Sequence, residues 1–156
     1  MRIALPGAAR TLAVASLAAA GVLLVAGAVS AQAPAGYVPV PATVQELMVN
    51  IFTPASDAIW QKSYADNLTG EDWLSMQRAA VELAAGASII SLGGSDGAAK
   101  GWTSQPAWQE WSQKLSGLAG TMKTAADSKA QMDLATAGDS MLEVCEGCHL
   151  MFLPQP

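Results

Sequence analysis

Near its end the chain runs Leu134-Ala135-Thr136-Ala137-Gly138-Asp139-Ser140-Met141-Leu142-Glu143-Val144-Cys145-Glu146-Gly147-Cys148-His149-Leu150-Met151-Phe152. Leu134, Gly138, Met141, Cys145, Cys148 and Phe152 step by 4, 3, 4, 3 and 4 residues, which sets them on one face of a helix. Cys145 and Cys148 are the only cysteines of the chain and His149 is its only histidine. Two thiols thus occupy the face that a helix turns toward a core, with an imidazole beside them.

The same step recurs upstream. Trp73, Met76, Ala80, Leu83, Ala87 and Ile90 form one stripe, and Trp108, Trp111, Leu115, Leu118, Met122 and Ala125 form another. An earlier segment is less regular: Val44, Met48, Ile51, Ala55 and Ile59 share a plausible face, but Pro54 interrupts it. Proline lacks the backbone donor and clashes with the preceding turn, while Thr53-Pro54 equally suits the cap and first position of a new helical piece, so a kink or a break is expected there. Thr69 and Ser104 resemble N-caps, the latter with Pro106 close behind. Gly93-Gly94-Ser95-Asp96-Gly97 is the clearest loop. The last two helices are expected to separate near Asp127, where no glycine or proline marks the boundary. Four amphipathic segments joined by short loops predict an all-α, antiparallel four-helix bundle over residues 43–156, the architecture that builds cofactor sites from facing helices. The five tryptophans read as bundle core and helix ends.

Cys145-Glu146-Gly147-Cys148-His149 matches the c-type haem attachment pattern. In that chemistry two thiols form thioethers to the haem and the adjacent imidazole binds the iron. Structural zinc asks for about four Cys or His ligands, and this chain has three. A thioredoxin-type dithiol belongs near a βαβ pattern, which the sequence lacks. A disulfide between the two cysteines, or a structural histidine, is compatible with the same residues.

An exported chain with four helices and a single Cys-x-x-Cys-His in the last of them resembles the class II cytochromes c, meaning cytochrome c′ and the low-spin cytochrome c-556 type. The resemblance spans roughly Thr43 to Pro154 in architecture and is specific only at the motif and its position. It implies one covalent haem c on Cys145 and Cys148, with His149 as the proximal iron ligand. Where cytochrome c′ usually has a basic residue four positions after the histidine, this chain has Leu153; the aromatic usual just before it has a counterpart in Phe152. Dimerisation, common in that family, is a further implication.

In low-spin members a methionine from the first helix is the second iron ligand, and Met48 falls in such a place. Of the other methionines, Met1 precedes the domain, Met76 and Met122 sit on core stripes, Met141 and Met151 share the helix of His149, and Met132 lies at its far end. With Met48 bound, a filled coordination shell suits electron transfer; a soft thioether favours ferrous iron. With that position empty, the chain would be a five-coordinate, high-spin protein that binds a small gas such as nitric oxide or carbon monoxide. A peroxidase-like enzyme would need a distal acid–base group. No distal histidine is available, and a glutamate such as Glu46, one helical neighbour away from Met48, reads equally as a solvated surface residue, so no enzymatic activity is expected.

The N-terminus carries Arg2 and Arg10, an uncharged apolar run from Leu12 to Val29, and small residues at Ser30 and Ala31, the layout of a secretory signal over residues 1–31. Cleavage after Ala31 starts the mature chain at Gln32; the alternative after Ala33 leaves Pro34 at the cut. If retained, the run is long enough to anchor in a bilayer. Residues 32–42, rich in Pro, Ala and Val, read as a linker. The remainder holds six Lys and Arg against thirteen Asp and Glu, a formal charge of −7. That balance argues against nucleic acid or an anionic membrane surface as partner. It suits a periplasmic protein docking on a basic patch of a redox partner, chiefly as an on-rate effect.

Overall fold

The computed structural model describes Val38, residues 40–97 and residues 100–153; the signal segment lies outside them. The described residues form α1 (Val44–Leu47), a π turn (Met48–Phe52), α2 (Thr53–Ser63), α3 (Gly70–Ser91), α4 (Pro106–Ser128) and α5 (Gln131–Phe152), with no strand. The backbone stays helical from α1 through the π turn into α2, so these three make one rod and the bundle has four arms. None of the described helices is long and apolar enough to cross a membrane.

The arms pack as a closed square. α2 lies against α3 and α5, α4 lies against α3 and α5, and among the described residues the backbones of the diagonal pairs stay further apart. Neighbours run antiparallel. The Gln131 amide donates to the Ser63 carbonyl at 3.0 Å and the Trp60 indole N–H to the Gly138 carbonyl at 3.0 Å, so numbers rise along α5 as they fall along α2. The Trp108 indole N–H reaches the Ile90 carbonyl at 2.8 Å, while Gln77 reaches that of Ala126, which orders α3 and α4 the same way. The stripes read from the sequence line the interior: Met76, Leu83, Met122, Leu134 and Met141 are fully buried.

The helix ends follow local chemistry in part. Thr69 caps α3 in a reciprocal box, its hydroxyl accepting the Asp72 N–H and the Asp72 carboxylate accepting the Thr69 N–H. Ser104 does not cap α4. Gln105 takes the cap position with extended backbone, Pro106 is the first helical residue, and the Ser104 hydroxyl donates to the Gly101 carbonyl instead. α4 ends at Ser128, one residue past the expected Asp127, on a left-handed Lys129. The N–H groups of Lys129 and Ala130 return to the carbonyls of Ala126 and Ala125, the paired hydrogen bonds of a Schellman ending. The irregularity expected at Pro54 takes the form of a π turn just before it: the rod does not end, and Thr53 and Pro54 open α2, as proline suits a first helical turn.

The Gly93–Gly97 loop clamps the start of the first rod. Gly94 has φ of +55°, and a Cβ there would stand 2.7 Å from the Ala42 carbonyl, a position only glycine fills without strain. Ser95 N–H donates to that carbonyl at 2.9 Å, so the end of the linker is held against the bundle. Asp96 Oδ1 accepts the Val44 N–H at 2.8 Å, satisfying a first-turn donor of α1 from 52 residues away. The Lys100 ammonium beside it, helped by the Val44 N–H, holds the Asp96 carboxyl below the usual carboxylate range. A depressed folded pKa contributes stability above the unfolded value near 4 and loses it as pH falls through the folded one. Asp96→Ala is therefore expected to cost about 1 kcal/mol at pH 7, in the range of lost helix caps. Asp96→Asn, which keeps the acceptor, is expected to cost less, and its gap to wild type should narrow as pH falls below the usual carboxylate range, as read by urea melts.

Candidate haem site

One cavity, of about 250 Å³, lies at the end of the bundle where the π turn, α4 and the last turns of α5 meet. Its walls are Phe52, Trp60, Ile90, Trp108, Trp111, Leu115 and Val144. Onto these apolar walls open Met48 from the first rod and Cys145, Cys148 and His149 from α5. The four residues singled out by the sequence are thus brought to one cavity from two facing arms. Among the described residues, Met48 is the only methionine on its lining. Met76, Met122 and Met141 are buried in the core elsewhere, while Met132 and Met151 are 77% and 62% exposed.

Cys145 and Cys148 are half-buried free thiols one helical turn apart, and His149 next to them is exposed. Burial pushes the Cys148 thiol up to about 11, with Cys145 beside it adding to the effect. Burial and, secondarily, the Glu146 carboxylate raise Cys145. Both stay protonated at neutral pH, unlike the low-pKa thiolate of a dithiol redox centre.

Gly147, between the cysteines, is dictated by packing. The Trp111 indole lies directly on it, so that a Cβ would meet Cη2 at 2.3 Å. The indole is held from two sides, its N–H against the Met151 sulfur at 3.2 Å and the Lys114 ammonium over its ring at 4.4 Å from the centroid. The attachment turn and one wall of the cavity are therefore a single packed unit.

The polar groups of the lining are few. The hydroxyls of Thr53, Ser56 and Ser112 donate to carbonyls of their own helices, those of Met48, Thr53 and Trp108. Asp57, exposed on the lining, is a carboxylate that sequence reasoning missed, although its spacing of three residues from Trp60 and four from Thr53 sets it on their face. Glu46, the acid–base candidate, lies elsewhere. Its carboxylate accepts the Thr43 N–H at 2.8 Å in the capping box of α1 and does not line the cavity.

The donor set fits haem c. Two thiols three residues apart, an adjacent imidazole and a thioether opening from the facing arm are the ligands that c-type attachment uses. The surrounding walls are aromatic and aliphatic, as an apolar macrocycle requires. The cavity is not closed: exposed residues such as Asp57 and His149 stand at its edge, where the polar side of a porphyrin would meet water. Comparison of the chain with protein-family models, with curated proteins and with solved structures finds no match, so the likeness to class II cytochromes c rests on these residues and their place in the bundle.

Proposed function

We propose that this protein is an exported, periplasmic electron carrier that holds one haem c covalently. The observation that carries the reading is the shared cavity: Met48 on one arm and Cys145, Cys148 and His149 on the facing arm open onto the same apolar space. When bound, the haem supplies an iron that cycles between ferric and ferrous. Cys145 and Cys148 would tether it, and His149 and Met48 would hold its iron. The Met48 thioether would favour ferrous iron, and the Trp108, Leu115 and Val144 walls would keep water from it.

Beside His149 the surface is apolar and acidic. Leu150 is 75% and Leu153 58% exposed, with the carboxylates of Glu143 and Glu146 on the same helix. Such a surface suits brief docking on a redox partner with a basic patch, where charge sets the rate of encounter.

The ferrous spectrum with and without carbon monoxide tests the reading. Wild type is expected to be low-spin and unchanged by the gas. Met48→Ala is expected to turn from almost wholly low-spin to predominantly high-spin and to take up carbon monoxide. A wild-type protein that is high-spin and binds the gas at once would replace electron transfer with five-coordinate gas binding.

A further inference from the structure

Met48 meets the cavity because the first rod carries one residue more than an α-helix would use. Across Met48–Phe52 the chain winds as a π turn, and Thr53 answers the Met48 carbonyl twice, with its backbone N–H five residues on and with Oγ1 at 2.9 Å. Pro54 follows in the first turn of α2. Having no N–H, it cannot make the α-type bond back to the Asn50 carbonyl.

The extra residue changes which side chain looks inward. α2 turns Phe52, Thr53, Ser56, Asp57 and Trp60 to the cavity. Continued backward as an α-helix, the next position on that face belongs to Val49, three residues before Phe52 and four before Thr53. The π turn takes up one residue more and brings Met48 to that face instead. Val49 is correspondingly left 61% exposed. Leu47 and Phe52, five residues apart, are both buried, as the same winding requires.

We infer that the π turn, pinned by the Thr53 hydroxyl and Pro54, selects the second axial ligand of the iron by turning the Met48 thioether rather than the Val49 isopropyl group into the cavity. The inference rests on the haem reading above and on Met48 ligation. Thr53 and Pro54 are positioning residues that act through Met48. π turns recur at functional sites in helices, because a one-residue insertion re-aims a side chain without breaking the rod.

The test uses holoprotein and reads spin state and carbon monoxide uptake, with helicity and urea melts as folding controls. Thr53→Val/Pro54→Ala is expected to relax the turn to α winding and convert the protein from mainly low-spin to mainly high-spin. Deleting Asn50 in that background leaves Met48 three residues before Phe52 and four before Thr53, the position Val49 would otherwise take, and is expected to restore the low-spin form. A double variant that stays low-spin overturns the inference, as does a high-spin one that the deletion fails to rescue. If the double variant does not fold, Thr53→Val alone is read the same way: a partial high-spin fraction supports the pinning, and an unchanged spectrum overturns it. Met48→Ala separates the two levels. If it leaves the spectrum unchanged, Met48 ligation fails and takes the inference with it. If it turns high-spin while the double variant does not, only the inference fails.

Discussion

Cys145→Ser/Cys148→Ser is expected to abolish covalent haem altogether: acidified organic solvent should strip all pigment from the variant and none from wild type. Each single serine variant should keep the group on one thioether. The double change should also loosen the fold. In its absence the walls of Phe52, Trp60, Ile90, Trp108, Trp111, Leu115 and Val144 face one another across about 250 Å³ of space with no partner atoms. Covering such walls at roughly 25 cal/mol per Å² contributes about 3 kcal/mol or more, a large share of the roughly 5–15 kcal/mol that holds a domain folded. The variant should therefore melt with a lowered midpoint and a broadened transition. A haem-free variant with the cooperative melt of wild type would mean that the bundle closes its own core, and the cavity would then have no cofactor to account for it.

What the sequence made legible is what depends on near neighbours in the chain. The steps of three and four residues locate the arms of the bundle, because any side chain at that spacing shares a helix face. They also set Cys145 and Cys148 on the inward face of α5, where the structure has them half-buried on the cavity. Thr69 was legible as a cap because its partner Asp72 lies three residues on. Other features depend on distant partners or on a choice among nearly equal local solutions. Pro54 announces that one helical bond is missing, but a break, a kink and a π turn all satisfy that condition. The clamp of Asp96 on Val44 joins residues 52 positions apart, and no local pattern encodes it. Lys129 is left-handed without being glycine, since two returning bonds to Ala125 and Ala126 hold it there. Gln105 displaced Ser104 as the cap of α4 because Pro106, with φ fixed near −65°, sets the first helical residue and hence the residue before it. Asp57 is not legible because the face it shares with Thr53, Ser56 and Trp60 becomes a cavity wall only where α4 and α5 close over it.

Trp108→Ala is expected to be the most damaging single substitution in the helical core, costing about 3–5 kcal/mol, the usual range for truncating a buried large aromatic. Trp108 is 3% exposed and joins three parts of the molecule. Its ring stacks on Trp102 of the loop before α4 at 5.1 Å between centroids and meets the edge of Phe152, in the last turn of α5, at 5.0 Å. Its indole N–H closes onto the Ile90 carbonyl of α3. Each aromatic pair contributes about 0.5–1.5 kcal/mol beyond the area it buries, and truncation would lose both at once. The hydrogen bond is the smaller part. The Ile90 carbonyl also accepts the Gly93 N–H at 2.8 Å, so it is not orphaned when the indole goes. Trp108→Phe, which keeps a ring and removes the N–H, should accordingly cost no more than about 2 kcal/mol. Urea unfolding at constant slope separates the two substitutions. The larger loss also has a local address. Phe152 follows His149 by three residues, one turn further along α5, and its contact with Trp108 ties down the end of the helix on which the proposed iron ligand sits. Amide exchange at His149 to Phe152 should therefore accelerate more in Trp108→Ala than at Leu134 to Met141, near the other end of the same helix. Equal acceleration along α5 would mean that the aromatic cluster stabilises the bundle as a whole and leaves the orientation of His149 to its own helix.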